Sequence, residues 1–393
     1  MRYSGRANGN NHLVSLWHSF YIVISLREFV SSFSFNLKFI MPSLAAVSKI
    51  DFPSKVAQQE VKQYAQALFK PSFPQIERLM GVFDNTEIIT RNFCWPLDDY
   101  ASLGNFQENN EAYIRTSLTY SIQAIEACLA IAAMGREEIT DILFVSTTGL
   151  ATPSLDALII NEMRLSQYIN RTPVFGLGCG GGVSGYAKAN MIAMANPEAV
   201  VLLVCVELCS LTFLKNDYSK SNFIASSLFA DGVAACIIKG GNYAPGNKSI
   251  QFKAAQSKLY YDSINVMGWE FLSEGFKVVF SEDIPTIIRH NIADDVAGFL
   301  AKNGLQLGDI KNFIFHPGGK KILTAYAETL AVEGDFLQNT RKVMNDNGNM
   351  SSATVLYVLE RFFSKGFVDG PGLMVSLGPG FSSEMVLLDM ANL

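Results

Sequence analysis

Residues Val174–Gly185, VFGLGCGGGVSG, constrain this chain more than any other stretch. Apolar residues lead into a turn paved with glycine, and small residues follow through Tyr186, Ala187 and Ala189. The pattern predicts a short strand, a tight turn and a helix. Cys179 stands in the turn, where the first N–H groups of a helix are unpaired and its dipole favours negative charge. That setting is expected to lower the thiol pKa and supply a thiolate nucleophile, with the glycines leaving room for a bulky thioester. A merely buried cysteine beside a turn is the plain alternative.

Strands and helices alternate around this unit. Ile142–Ser146, Ala199–Val206 and Asn312–Phe315 read as buried strands, while Glu111–Ala133 and Pro153–Leu165 read as helices. Of four histidines, His12 and His18 fall in an unusual N-terminal segment, and His290 belongs to an amphipathic helical run. His316 differs, because it ends a strand and precedes Pro317, Gly318 and Gly319. Strand ends that open into loops are where α/β folds place their chemistry. Asn349 lies in NDNGNMSSA, just before the helical run TVLYVLERFFSK, in letters that also suit ordinary helix capping.

A glycine-flanked cysteine, His-Pro-Gly-Gly and Gly-Asn-Met-Ser-Ser-Ala, in this order and widely spaced, closely resemble the Cys-His-Asn set of the type III polyketide synthases. These are the chalcone synthase-like enzymes of the thiolase fold. Further matching pieces are Ser146-Thr147-Thr148-Gly149, Cys205–Cys209 with Thr212-Phe213, Leu228–Gly232 and Gly378-Pro379-Gly380. STTGLATPS and ELCSLTF look most like the Bacillus-type branch of bacterial alkylpyrone and alkylresorcinol synthases.

The resemblance implies an α/β chain of αβαβα layers made from two similar halves, 41–240 holding Cys179 and 250–393 holding His316 and Asn349. It implies a decarboxylating acyltransferase with Cys179 as nucleophile, and with His316, as an imidazolium, and Asn349 steadying thiolate and enolate. Phe229 matches an aromatic residue beside the sulfur; Thr147, Thr148 and Thr212 match cavity positions. Val278 stands where plant members carry a second gatekeeper phenylalanine, and Ser376-Leu377 replaces a Gly-Phe pair. The smaller valine points to a fatty acyl-CoA starter extended by malonyl-CoA, with Gly378, Pro379 and Gly380 near the substrate. CoA thioesters as small-molecule partners, a homodimer and no cofactor or metal follow from the same resemblance. Lys320 and Lys321 could meet CoA phosphates, but a solvated helix start is the simpler assignment.

Composition agrees. Within 393 residues, 49% hydrophobic content supplies two domain-sized cores, and 17% charged residues suggests an interface. A net charge of −5 gives no reason to expect nucleic acid. Six cysteines without paired spacing point to a reducing, cytoplasmic setting, with Cys205 and Cys209 read as strand residues. Gly176, Gly178 and Gly181 have GxGxxG spacing, but Val200 and Val201 occupy the place of the ribose-binding acid, which disfavours a dinucleotide. Lys239–Ser249 reads as a linker. Residues 1–40 read as an extension outside the fold, with Leu13–Leu26 too interrupted for a membrane span. A ketoacyl-carrier-protein synthase III-like enzyme, a hydroxymethylglutaryl-CoA synthase relative with a glutamate beside its cysteine, and a non-catalytic scaffold are the alternatives.

Overall fold

The computed structural model describes residues 41–393 except 71, 72, 74, 75, 245 and 247. The expectations for 1–40 lie outside the described residues. In the main sheet, β1 (Ser43–Lys49) comes first, and β2 (Ser54–Ala57) and β3 (Thr90–Phe93) form a small antiparallel ribbon apart from it. The chain returns to the main sheet with β4 (Asp141–Val145), β5 (Asn170–Val174), β6 (Val200–Leu208), β7 (Asp231–Lys239) and β8 (Lys248–Leu259). A hairpin of β9 (Met267–Leu272) and β10 (Gly275–Phe280) precedes β11 (Asn312–Phe315), β12 (Gly370–Gly378) and β13 (Ser382–Asn392). The nine main strands run in the order β11-β12-β13-β8-β1-β7-β6-β4-β5.

This order contains two related patterns. In the first half β4 is parallel to β5 and β6, β6 is antiparallel to β7, and β7 to β1. In the second, β11 is parallel to β12, β12 is antiparallel to β13, and β13 to β8. The halves join at one pairing, Ser43 with Gln251.

Helices fill the layers: α1 (Gln58–Phe69), α2 (Phe106–Ala132), α3 (Leu155–Met163), α4 (Gly181–Ala195), α5 (Lys220–Leu228), α6 (Ile284–Lys302), α7 (Lys320–Leu330), α8 (Gln338–Asn347) and α9 (Ser352–Lys365). Side chains alternate faces along a strand, and that alternation sorts the layers. Leu143 and Val145 of β4 pack with α4 and α9 in one core, together with Ile314, Met374 and Val386 from the second half. Ile142 and Phe144 face the opposite way, onto α2. Phe313, Phe315 and Leu373 likewise face outward onto α6 and α7. The central layer of α4 and α9 therefore lies between the two halves of the main sheet, each half covered outside by helices. These are the expected αβαβα layers.

Candidate active site

β5 ends at Val174, and the chain passes through Gly176 and Gly178 into one tight turn, Gly178–Gly180, that runs straight into α4. Gly178 has φ 43, and a Cβ there would meet Pro379 at 2.7 Å. Gly180 faces Gly378, and a Cβ on Gly182 would lie 2.2 Å from the Ser352 carbonyl. The glycines thus serve close packing of α4 against α9 and the Gly378-Pro379-Gly380 bend, more than open access to sulfur. The Gly178 N–H donates to Thr147 Oγ1 at 3.0 Å, fixing the turn to the end of β4.

Cys179, at this turn, donates through Sγ to Ser351 Oγ at 3.7 Å. Ser351 precedes α9 with φ 47 and ψ −128, a conformation that strains a residue with a side chain by about 1–3 kcal/mol. Its N–H donates to Asn349 Oδ1 at 2.9 Å. Asn349 Nδ2 donates in turn to the Gly318 carbonyl at 2.9 Å, two residues past His316. The backbone of Asn349 pairs with Leu228 and Ala230, which flank Phe229. At the end of β11 the His316 N–H donates to the Val375 carbonyl, and neighbouring Ser376 reaches Gly180. Cysteine from the first half, and histidine and asparagine from the second, are linked by these contacts. His316 is 3% exposed, and neither ring nitrogen has a partner.

A cavity of about 40 Å³ opens onto Cys179, walled by Thr147, Thr148, Phe229, Val278, Ser351 and Pro379 among others. Thr212 lines an adjoining cavity instead. Gly378 packs behind the turn, and Gly380 donates its N–H to the Met267 carbonyl; neither lines the Cys179 cavity. Lys320 pairs with Glu87 at 3.3 Å, as suits a solvated helix start.

Two expectations are corrected by the electrostatics. Burial pushes the Cys179 thiol up to about 12, with the Glu207 carboxylate adding to it, while the neighbouring Ser351 and Asn349 side chains act the other way. Burial also lowers His316 to about 3. Burial thus disfavours a charge on either group taken singly, against the expectation of a lowered thiol and a standing imidazolium.

Several residues of the site escaped the sequence. Glu207 is fully buried, accepting from the Thr147 N–H at 3.0 Å and from Ser352 Oγ at 2.6 Å. Burial raises its carboxyl to about 7. Its position in the apolar run of β6 hid it. Cys209, taken for a strand residue, begins the turn beyond β6 and lines both cavities. Trp269, on β9, does the same. Among the described residues no group of three or more His, Cys, Asp or Glu could hold a metal.

Comparison with known sequences matches residues 103–242 to "Chalcone and stilbene synthases, N-terminal domain" and residues 251–391 to the corresponding C-terminal domain. The chain belongs to the chalcone and stilbene synthase family. It is 41% identical over 343 residues to a Bacillus subtilis (strain 168) protein that carries the chalcone synthase name, covering 84% of this chain and 94% of that protein. It is 34% identical over 349 residues to 1,3,6,8-tetrahydroxynaphthalene synthase of Streptomyces peucetius subsp. caesius, covering 88% and 92%. The crystal structure of 1,3,6,8-tetrahydroxynaphthalene synthase from Streptomyces coelicolor A3(2), a bacterial type III polyketide synthase, superposes with a TM-score of 0.83 at 27% identity. That match covers 88% of this chain and 99% of the other. This type III polyketide synthase is accordingly an acyltransferase-type condensing enzyme with the thiolase-like fold. Membership sets aside the carrier-protein-dependent, hydroxymethylglutaryl and scaffold alternatives. Glu207 is consistent with that outcome, since its two oxygens are engaged by Thr147 and Ser352.

Proposed function

We propose that this synthase condenses a fatty acyl-CoA starter with malonyl-CoA and releases alkylpyrone or alkylresorcinol products. The observation that carries the choice of starter is Val278, a small side chain walling both cavities beside Phe229. Cys179 is the nucleophile. The thiol must lose its proton to attack, and the imidazole of His316, unpartnered at both ring nitrogens, is the acceptor: thiolate and imidazolium form together as an ion pair, each charge offsetting the desolvation that disfavours the other alone. The S–C bond to the starter forms as CoA leaves. Malonyl-CoA then loses carbon dioxide, and its enolate attacks the acyl-cysteine, returning the thiol. His316 and the remaining amide N–H of Asn349 are the donors suited to the enolate oxygen. Removing one such donor typically lowers the rate on the order of 10²–10³. Loss of carbon dioxide drives each condensation, so this chemistry calls for neither metal nor redox cofactor.

We further propose a cytoplasmic homodimer. All six cysteines are free thiols, in keeping with a reducing compartment. No helix among the described residues is long and apolar enough to cross a membrane. β5 is a sheet edge, and Phe175, Met191 and Met194 nearby are exposed apolar side chains suited to a second copy. A monomeric mass by equilibrium sedimentation at micromolar concentration would overturn the dimer.

The starter is tested by mass spectrometry of products from malonyl-CoA and a panel of acyl-CoAs, beside Cys179→Ala. Cysteine-dependent alkylpyrones from medium and long chains are expected. Turnover of cinnamoyl-type starters with no product from alkyl chains would overturn the fatty choice.

A further inference from the structure

The second cavity, of about 90 Å³, adjoins the first across Cys209, Phe229, Trp269 and Val278, which line both. Its outer wall, from α1, α5 and β3, is largely apolar, with Val61, Ala65, Leu68 and Phe93 facing inward. Four polar side chains interrupt it: Asn222 and Ser226 of α5 are hydrogen-bonded within the protein, whereas Arg91 and Tyr64 are left with unpartnered atoms. Arg91, on β3, is 3% exposed; Nη1 donates to the Ser226 carbonyl, and Nε has no partner. Tyr64, on α1, has a buried hydroxyl that is also unpartnered. Arg91 keeps its proton at neutral pH, since burial lowers it only to about 10 and the field of Asp231 supports the charge. Asp231 is itself engaged by the Cys94 and Ser210 N–H groups and by Ser210 Oγ, and forms no ion pair with Arg91. A buried cation and an orphan hydroxyl in an apolar wall are unfavourable unless a strongly accepting group completes them.

We propose that Arg91 and Tyr64 form a receptor for the anionic or enolic oxygens of the acyl substrate in this second cavity. The ligand chemistry is one, a carboxylate or β-keto oxygen, and has two sources: the incoming malonyl thioester or the growing chain. Guanidinium is suited to both, because it stays charged in apolar surroundings and presents several donors in a plane. The proposal rests on the polyketide synthase reading and adds a residue that governs extension, where Val278 governs the starter.

The test uses the full chain with hexanoyl-CoA and malonyl-CoA, comparing Arg91→Met and Arg91→Lys with the unmodified protein. If Arg91 meets the malonyl carboxylate, Arg91→Met raises the apparent KM for malonyl-CoA by on the order of tenfold. If it meets the growing chain, the ratio of longer to shorter polyketides falls by a similar factor. In either case Arg91→Lys, which keeps the charge, restores part of the effect. A folded Arg91→Met with both readings within about twofold of the unmodified protein overturns the proposal, and so does Arg91→Lys behaving like Arg91→Met. Should Arg91→Met fail to fold by circular dichroism, Tyr64→Phe decides, through the same two readings. No product from the unmodified chain with any CoA starter would instead strike at the synthase reading itself.

Discussion

The chemistry at Cys179 is set by desolvation more than by position on a helix. A thiol held up to about 12 is mostly protonated at neutral pH, so iodoacetamide should label it slowly. Its alkylation rate should climb about tenfold per pH unit through the alkaline range. A plateau reached near neutrality would show a thiolate already paired with imidazolium. Glu207 and His316 act oppositely on stability. With its carboxyl raised from 4.5 to about 7, folded Glu207 holds a proton that the unfolded chain releases, so its contribution is full below 4.5 and lost as pH rises through 7. His316, lowered from 6.5 to about 3, refuses a proton that the unfolded chain takes up, so stability is lost as pH falls below 6.5. Between them the acid-range profile is flattened. Glu207→Gln removes one slope, and its urea midpoint should rise more steeply from pH 5 to pH 6.5 than that of the unmodified protein. Equal slopes would mean that Glu207 does not titrate there.

At the scale of elements, the strands and helices that meet at the site were readable because their apolar patterns are long and regular. Asn312–Phe315 is a strand with the bounds its sequence suggests, and α9 fills the run before Lys365. Packing partners were not readable in the same way. Gly182 looks like one more turn glycine, yet its task is to bring α4 within reach of α9. Gly182→Ala should destabilise the protein by about 1–3 kcal/mol through overpacking, read as a lower urea midpoint. An unchanged midpoint would mean that the two helices separate freely. Glu207 and Arg91 stayed hidden for a related reason: Glu207 is a single charge in an apolar run, Arg91 sits among ordinary polar residues, and only the fold shows what surrounds each. The Cys, His and Asn positions stood out because each is flanked by residues with unusual backbone demands. Their ionisation did not, since burial depends on the completed fold.

At the scale of the molecule, the reactive group and its helpers belong to different halves. Cys179 follows β5 in the first, while His316 and Asn349 follow β11 and α8 in the second. The strands of the two halves pair at Ser43 and Gln251, and the rest of the adhesion comes from α4 against α9, from Leu228 and Ala230 against Asn349, and from the β3 ribbon against the end of α8. Each half retains its own internal hydrogen-bonded ladder if that central layer loosens slightly. In a urea titration, condensation activity should therefore disappear at a lower concentration than the far-ultraviolet circular dichroism. Coincident midpoints would show that the halves separate only as they melt. If activity is lost first, a fold assembled from two similar units carries a built-in fuse: mild stress would disarm the nucleophile before the scaffold comes apart, and relief of that stress would rearm it without refolding from an unfolded chain.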